Sequence, residues 1–157
     1  MAKAYHSAPN RTGRHPMLSQ TAEYALRASL YLAEHAGAGP LSVGDLAANL
    51  EVPRNYLSKT LHLLARDGVL RSTRGKNGGF WLARPAKQIP LIDIIGPFER
   101  LGERQGCVLG RPVCSDSTPC AAHDRWKEVA ELTTAFFERT TLEDLITPSS
   151  PVPPAGK

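Results

Sequence analysis

Apolar residues recur at helical spacing through the first half of the chain. Across residues 19–36, Ala22, Ala25, Leu26, Ser29, Leu30 and Ala33 share one face, and Gly37, Gly39 and Pro40 stop the run. A second, shorter helix is predicted from Ser42, which opens a Ser-x-x-Asp capping pattern with Asp45, followed by Val43, Leu46, Ala47 and Leu50 at the same period. After the Glu51-Val52 turn, Pro53 suits the first turn of a third helix; Leu57, Leu61 and Leu64 form its buried stripe and Gly68 ends it. The period then changes. Residues 69–73 are strand-like, Arg74-Gly75-Lys76-Asn77-Gly78-Gly79 is a glycine-rich turn, and residues 80–83 form the return strand of a β-hairpin.

The polar side of the third helix carries chemistry. Arg54, Ser58 and His62 lie in one row and Asn55 and Lys59 in the next, beside Tyr56, so guanidinium, amide, hydroxyl and ammonium groups are offered together. Such groups read base edges and phosphates; the plain alternative is a solvated amphipathic face. Two short helices joined by a tight turn describe a helix-turn-helix, and the hairpin after them, with Arg71, Arg74, Lys76 and Asn77, completes a winged helix. The expected fold class is therefore mainly α with a small β-hairpin wing. Charge concentrates in the same place: residues 53–87 hold eight basic residues against one acidic, Asp67, whereas the chain as a whole carries only +4. That is the footprint of a polyanion-binding element, and double-stranded DNA is the partner it points to.

Length and composition narrow the classes. The 157 residues, 41% of them apolar, allow one compact domain with an appended element. No apolar run approaches the ~20 residues of a membrane span, and the first sixteen residues lack the apolar core of a secretory signal, so a soluble, cytoplasmic protein without membrane contact is expected. An enzyme is not: there is no Cys-x-x-Cys, no convincing base partner and no βαβ pattern.

Three cysteines in a chain without an export signal direct attention to metal or thiol chemistry. Cys107, Cys114 and Cys120 fall within fourteen residues, His123 stands three beyond the last, and the Gly and Pro residues among them mark a loop. Three sulfurs and a nitrogen suit an iron-sulfur cluster or zinc. Gaps of six and five residues are wider than those of zinc knuckles and lean toward the cluster. The other readings are a metal-free thiol switch, with Arg111 lowering a thiol pKa, and three buried cysteines acting as small hydrophobes. Beyond the loop, Trp126, Val129, Ala130, Thr133, Phe136 and Phe137 lie on one stripe of a helix reaching about residue 139. So much apolar surface points to a dimer interface, or to packing against the first helix of the same chain.

Taken together, Leu18-Ser19-x-x-x-Glu23-Tyr24-Ala25-Leu26-Arg27, Val52-Pro53-Arg54-Asn55-Tyr56-Leu57, the Arg74 to Phe80 wing, the three cysteines and Thr141-Leu142-Glu143-Asp144-Leu145 resemble the Rrf2 family of winged-helix transcription regulators, typified by IscR and NsrR. The resemblance covers about residues 17–146. It implies a homodimer whose third helix enters the major groove of an operator while the wing contacts the minor groove. It further implies a 2Fe-2S or 4Fe-4S cluster on Cys107, Cys114 and Cys120, and a repressor that senses redox state, nitric oxide or iron-sulfur status. For the fourth ligand the resemblance offers His123, as in IscR-like members, or Glu23 reaching the partner subunit's cluster, as in some NsrR-like ones; His123 is favoured. Cys107 and Cys114 stand one residue further apart than the family pattern.

The organisation that follows is a disordered basic tail at 1–16 and a winged helix-turn-helix at 17–87. A linking helix at 88–101 and a cysteine-rich, cluster-binding loop at 102–123 come next. A dimerisation helix with a C-terminal turn at 124–146 and a disordered Pro-rich tail at 147–157 complete it.

Overall fold

The computed structural model describes residues 17–99, 109 and 114–146; both predicted tails lie outside them. Helix α1 (Gln20–Glu34) starts where Ser19 accepts a hydrogen bond from the Ala22 N–H at 3.3 Å. It buries Ala22, Ala25, Ala28, Ser29 and Leu32. This arc is rotated from the predicted stripe, leaving Leu26, Leu30 and Ala33 at its margin, because α1 packs on partners to several sides. Small alanines at the centre let those partners approach closely.

Helix α2 (Val43–Leu50) carries the predicted cap in reciprocal form: the Asp45 N–H donates to Ser42 Oγ at 3.1 Å and the Ser42 hydroxyl donates to Asp45 Oδ2 at 2.7 Å. The chain leaves α2 through Glu51, whose φ of 54° is left-handed, so that the Val52 N–H reaches back to the Ala47 carbonyl at 3.0 Å. Arg27 of α1 donates to the Leu50 carbonyl at 2.5 Å and covers the same helix end. Helix α3 (Arg54–Arg66) follows Pro53, buries Leu57, Thr60, Leu61 and Leu64, and ends at Gly68 with φ of 78°.

The wing pairs β1 (Leu70–Thr73) with β2 (Gly79–Leu82) antiparallel, Leu70 opposite Leu82 and Thr73 opposite Gly79. Gly79, expected in the turn, lies in the strand. Leu41, in the connection from α1 to α2, bridges to Phe80 by N–H to O bonds of 3.0 and 2.8 Å. A Cβ on Gly79 would stand 2.3 Å from the Leu41 carbonyl oxygen, so only glycine lets the two backbones meet.

A single 3-10 turn (Ala86–Gln88) leads to α4 (Leu91–Ile95), buried through Leu91, Ile94 and Ile95. The expected linking helix is thus only five residues long: Pro90 precedes its first turn, and Gly96-Pro97 prevents its continuation. Helix α5 (His123–Arg139) contacts α4, and α6 (Leu142–Ile146) returns to α1. That return is held by backbone bonds, Leu91 N–H to Thr140 O and Leu142 N–H to Ile89 O, both 2.9 Å. Phe137 and Leu142 thereby join the core formed by α1 to α4 and the wing.

Candidate nucleic-acid interface and cysteine loop

The basic face predicted on α3 is exposed at Arg54, Asn55, Tyr56 and Lys59, with Ser58 half-buried beside them. Arg71 on β1 and Arg74, Lys76 and Asn77 in the hairpin loop are exposed as well. Helix α3 packs on β1, and His62 on its outer face meets the ring of Phe80 edge-on, with centroids 5.1 Å apart. Helix α3 and the wing are therefore one packed unit. Among the described residues, Arg66 and Arg84 are engaged by Asp67 and Asp93, whereas no carboxylate pairs with Arg54, Lys59, Arg71, Arg74 or Lys76. Cations left without internal counter-charges are the ones that gain most from phosphates.

The second constellation lies at the start of α5. Cys120 is half-buried, and its carbonyl accepts the His123 N–H at 3.0 Å, so the turn sets it one step before the helix. His123 is 6% exposed. Its Nδ1 stands 3.3 Å from Cys114 Sγ and its Nε2 is 2.8 Å from Asp116 Oδ1. Lys127, one turn along α5 from His123, donates to the same carboxylate at 3.1 Å. The His123 hydrogen bond, and after it the Lys127 ammonium, holds the Asp116 carboxyl below its ordinary value; Asp116 in turn raises Lys127.

Cys107 lies outside the described residues, and among those described no three His, Cys, Asp or Glu side chains converge on a metal position. The donor pair present does suit one. A sulfur and an imidazole nitrogen bound to a single tetrahedral metal at ~2.3 and ~2.0 Å stand about 3.5 Å apart, close to the 3.3 Å between Cys114 and His123. Glu23 is in the first turn of α1 and exposed. Asp116 and Lys127 were not anticipated from sequence. The His123 to Lys127 spacing of one helical turn was the available signal, but Asp116 joins them only through the loop.

On α5 the predicted apolar stripe divides. Phe137 enters the core, Trp126, Ala130 and Thr133 are partly buried, and Val129 and Phe136 are exposed together with Leu132, which is 72% exposed.

Residues 18–148 match the model of the Rrf2 family, described as an iron-dependent transcriptional regulator. The chain belongs to the Rrf2 family. A protein of Aquifex aeolicus assigned to the HTH-type transcriptional regulators is 36% identical over 132 residues, covering 83% of this chain and 91% of that one. The regulator IscR of Photorhabdus laumondii is 26% identical over 89% of this chain and 85% of its own. Among solved structures, CymR, the global cysteine regulator of B. subtilis, superposes with a TM-score of 0.71 at 25% identity, over 86% of this chain and 99% of that one. T. potens IscR gives 0.69 at 24% identity, over 87% and 90%, and so shares the fold. This Rrf2 protein is thus a winged-helix transcriptional regulator and DNA-binding protein, not an enzyme. No helix among its described residues is long and apolar enough to cross a membrane.

Proposed function

We propose that this Rrf2 regulator is a homodimeric repressor whose operator affinity is set by an iron-sulfur cluster held by Cys107, Cys114, Cys120 and His123. The observation that carries the reading is the approach of Cys114 Sγ to His123 Nδ1 at 3.3 Å, which brings two of the proposed ligand groups together at the start of α5. It also favours His123 over the exposed Glu23 as fourth ligand. The relatives named IscR and the family's iron-dependent description agree with it.

When bound, the cluster supplies a site that gains or loses electrons, iron or nitric oxide and changes its demands on the loop. The protein's own residues do the rest. Arg54, Asn55, Tyr56, Ser58 and Lys59 face the major groove, with Asn55 reading base edges; Arg71, Arg74, Lys76 and Asn77 bind phosphate and the minor groove. The exposed Val129, Leu132 and Phe136 face of α5 joins two copies, so the spacing of the two α3 helices follows the geometry of α5. His123 begins α5, which places the ligand set at the end of the element that sets this spacing. The signal is redox state, nitric oxide or iron-sulfur status.

A metal-free thiol switch is the second reading, favoured by the same contact, since a cysteine facing a histidine is more readily ionised and oxidised. A structure of the Staphylococcus aureus CymR, 26% identical to this chain, is described as its oxidized form. A structural zinc on the same ligands is the remaining alternative.

Anaerobic purification with an absorption spectrum and iron, sulfide and zinc analysis separates the three. Matched iron and sulfide with visible charge-transfer bands are expected, and Cys114→Ala is expected to abolish them and to change operator affinity without unfolding the protein. Stoichiometric zinc, or no metal after reconstitution, would refute the cluster. Equal operator affinity of cluster-loaded and metal-free protein would refute the coupling.

A further inference from the structure

His123 has both ring nitrogens committed. Nε2 faces Asp116 at 2.8 Å and Nδ1 faces Cys114 at 3.3 Å. An ionised carboxylate only accepts hydrogen bonds, so Nε2 must carry a proton, and in the neutral ring the lone pair is left on Nδ1, the nitrogen beside the sulfur. Asp116 is steadied from its other side by Lys127, whose ammonium lies 3.1 and 3.4 Å from the two carboxylate oxygens. Because His123 and Lys127 are successive members of one row on α5, the helix itself defines where that carboxylate sits. The ring is buried while Asp116 is exposed, so the loop carries an acceptor in from the surface to hold a buried donor.

We propose that Asp116, braced by Lys127, is a positioning residue that selects the tautomer of His123 and turns Nδ1 toward the cluster ligands. The inference rests on the cluster reading above and adds to it the residues that prepare the ligand before the cluster arrives. A histidine ligand that donates its other N–H to a carboxylate is fixed in orientation and made more electron-rich, and loss of such a partner typically weakens metal binding about 10–100-fold. Cluster potentials respond to nearby charge and hydrogen bonds. Asp116→Asn keeps an acceptor but removes the negative charge, so the potential should move positive. Lys127→Met leaves the carboxylate uncompensated and should move it negative. Glu138→Gln removes an exposed charge at the opposite end of the same helix and should do little.

The experiment uses the full-length protein in two states. In the metal-free protein, nitrogen-15 NMR of the imidazole is expected to report the Nε2–H tautomer, lost or mixed in Asp116→Ala. In the anaerobically reconstituted protein, Asp116→Ala should release its cluster about 10–100-fold faster, and the Asn and Met variants should shift the reduction potential in opposite directions. Metal-free Asp116→Ala should keep wild-type helix content by circular dichroism, with a modest fall in melting temperature because the buried His123 N–H loses its acceptor. A wild-type Nδ1–H tautomer overturns the inference, as does a loaded protein whose potential and cluster lifetime ignore Asp116. A wild-type protein that takes up no cluster refutes the cluster reading, and this inference with it.

Discussion

Gly79→Ala should damage this protein out of proportion to the single methyl group it adds. The new Cβ would lie 2.3 Å from the Leu41 carbonyl oxygen, 2.5 Å from its carbon and 2.9 Å from its nitrogen. All three are backbone atoms in a paired segment, so no side-chain rotation relieves the clash. The adjustment open to the chain is to part Leu41 from Phe80, which breaks two backbone hydrogen bonds of 3.0 and 2.8 Å next to a nearly buried ring. At ~1 kcal/mol net for each bond, and more where a freed group stays buried, the cost is about 2–4 kcal/mol. With roughly 3–4 °C of melting temperature per kcal/mol for a chain of this size, the midpoint should fall by about 6–16 °C. Gly37→Ala is the matched control: its Cβ would meet nothing within 4 Å, and its φ is not positive. Urea and thermal unfolding of the two variants decide the matter. Since Phe80 also supports His62 of α3, Gly79→Ala should weaken operator binding under conditions where it is still folded. A Gly79→Ala protein that melts within a degree or so of the Gly37→Ala control would show that Leu41 and Phe80 are not joined.

Arg74→Ala and Lys76→Ala should each weaken binding to all DNA sequences alike and lower the slope of log affinity against log salt by about 0.9 for each phosphate no longer neutralised; Asn55→Ala should instead alter sequence preference, and uniform weakening would remove it as a base reader. Leu132→Glu, at an exposed position on α5, should halve the mass measured by sedimentation, and an unchanged mass would exclude this face as the dimer contact. The N–H of Thr141, with its hydroxyl, lowers the pKa of Asp144 at the start of α6. A carboxyl whose pKa is depressed by folding stabilises above its ordinary value and ceases to as pH falls through the folded one. Asp144→Asn should therefore cost stability near neutrality, with the gap to wild type closing below about pH 4; a constant gap in pH-dependent melting would contradict this.

The helix-turn-helix and the wing were legible because their signals are local. Ser42 with Asp45, Pro53 and Gly68 each mark a helix end by a bond or a dihedral that the residue itself imposes, and the structure places all of them there. Departures arise where a distant segment intervenes. The buried arc of α1 turns toward Ala28 and Leu32 because more than one helix packs on it, and Gly79 belongs to a strand because Leu41 pairs beside it. On α5, the predicted stripe took Phe136 and Phe137 together, although neighbouring residues diverge by about 100° on a helix; one is core and the other is exposed. The cysteine loop has no period, so the meeting of Cys114, Asp116 and His123 had no trace in spacing beyond their nearness in the chain.

Leu142 has no exposed surface, and the backbone around it is laced to residues 89–91 on the far side of the whole cysteine loop. During synthesis the helix-turn-helix and wing emerge long before this residue, and until it emerges their core has an open seam beside α1. A nascent chain can thus form α3 and the wing early but cannot complete the core until α6 closes that seam. Translation itself delays the finished core until the loop and its three cysteines have been made.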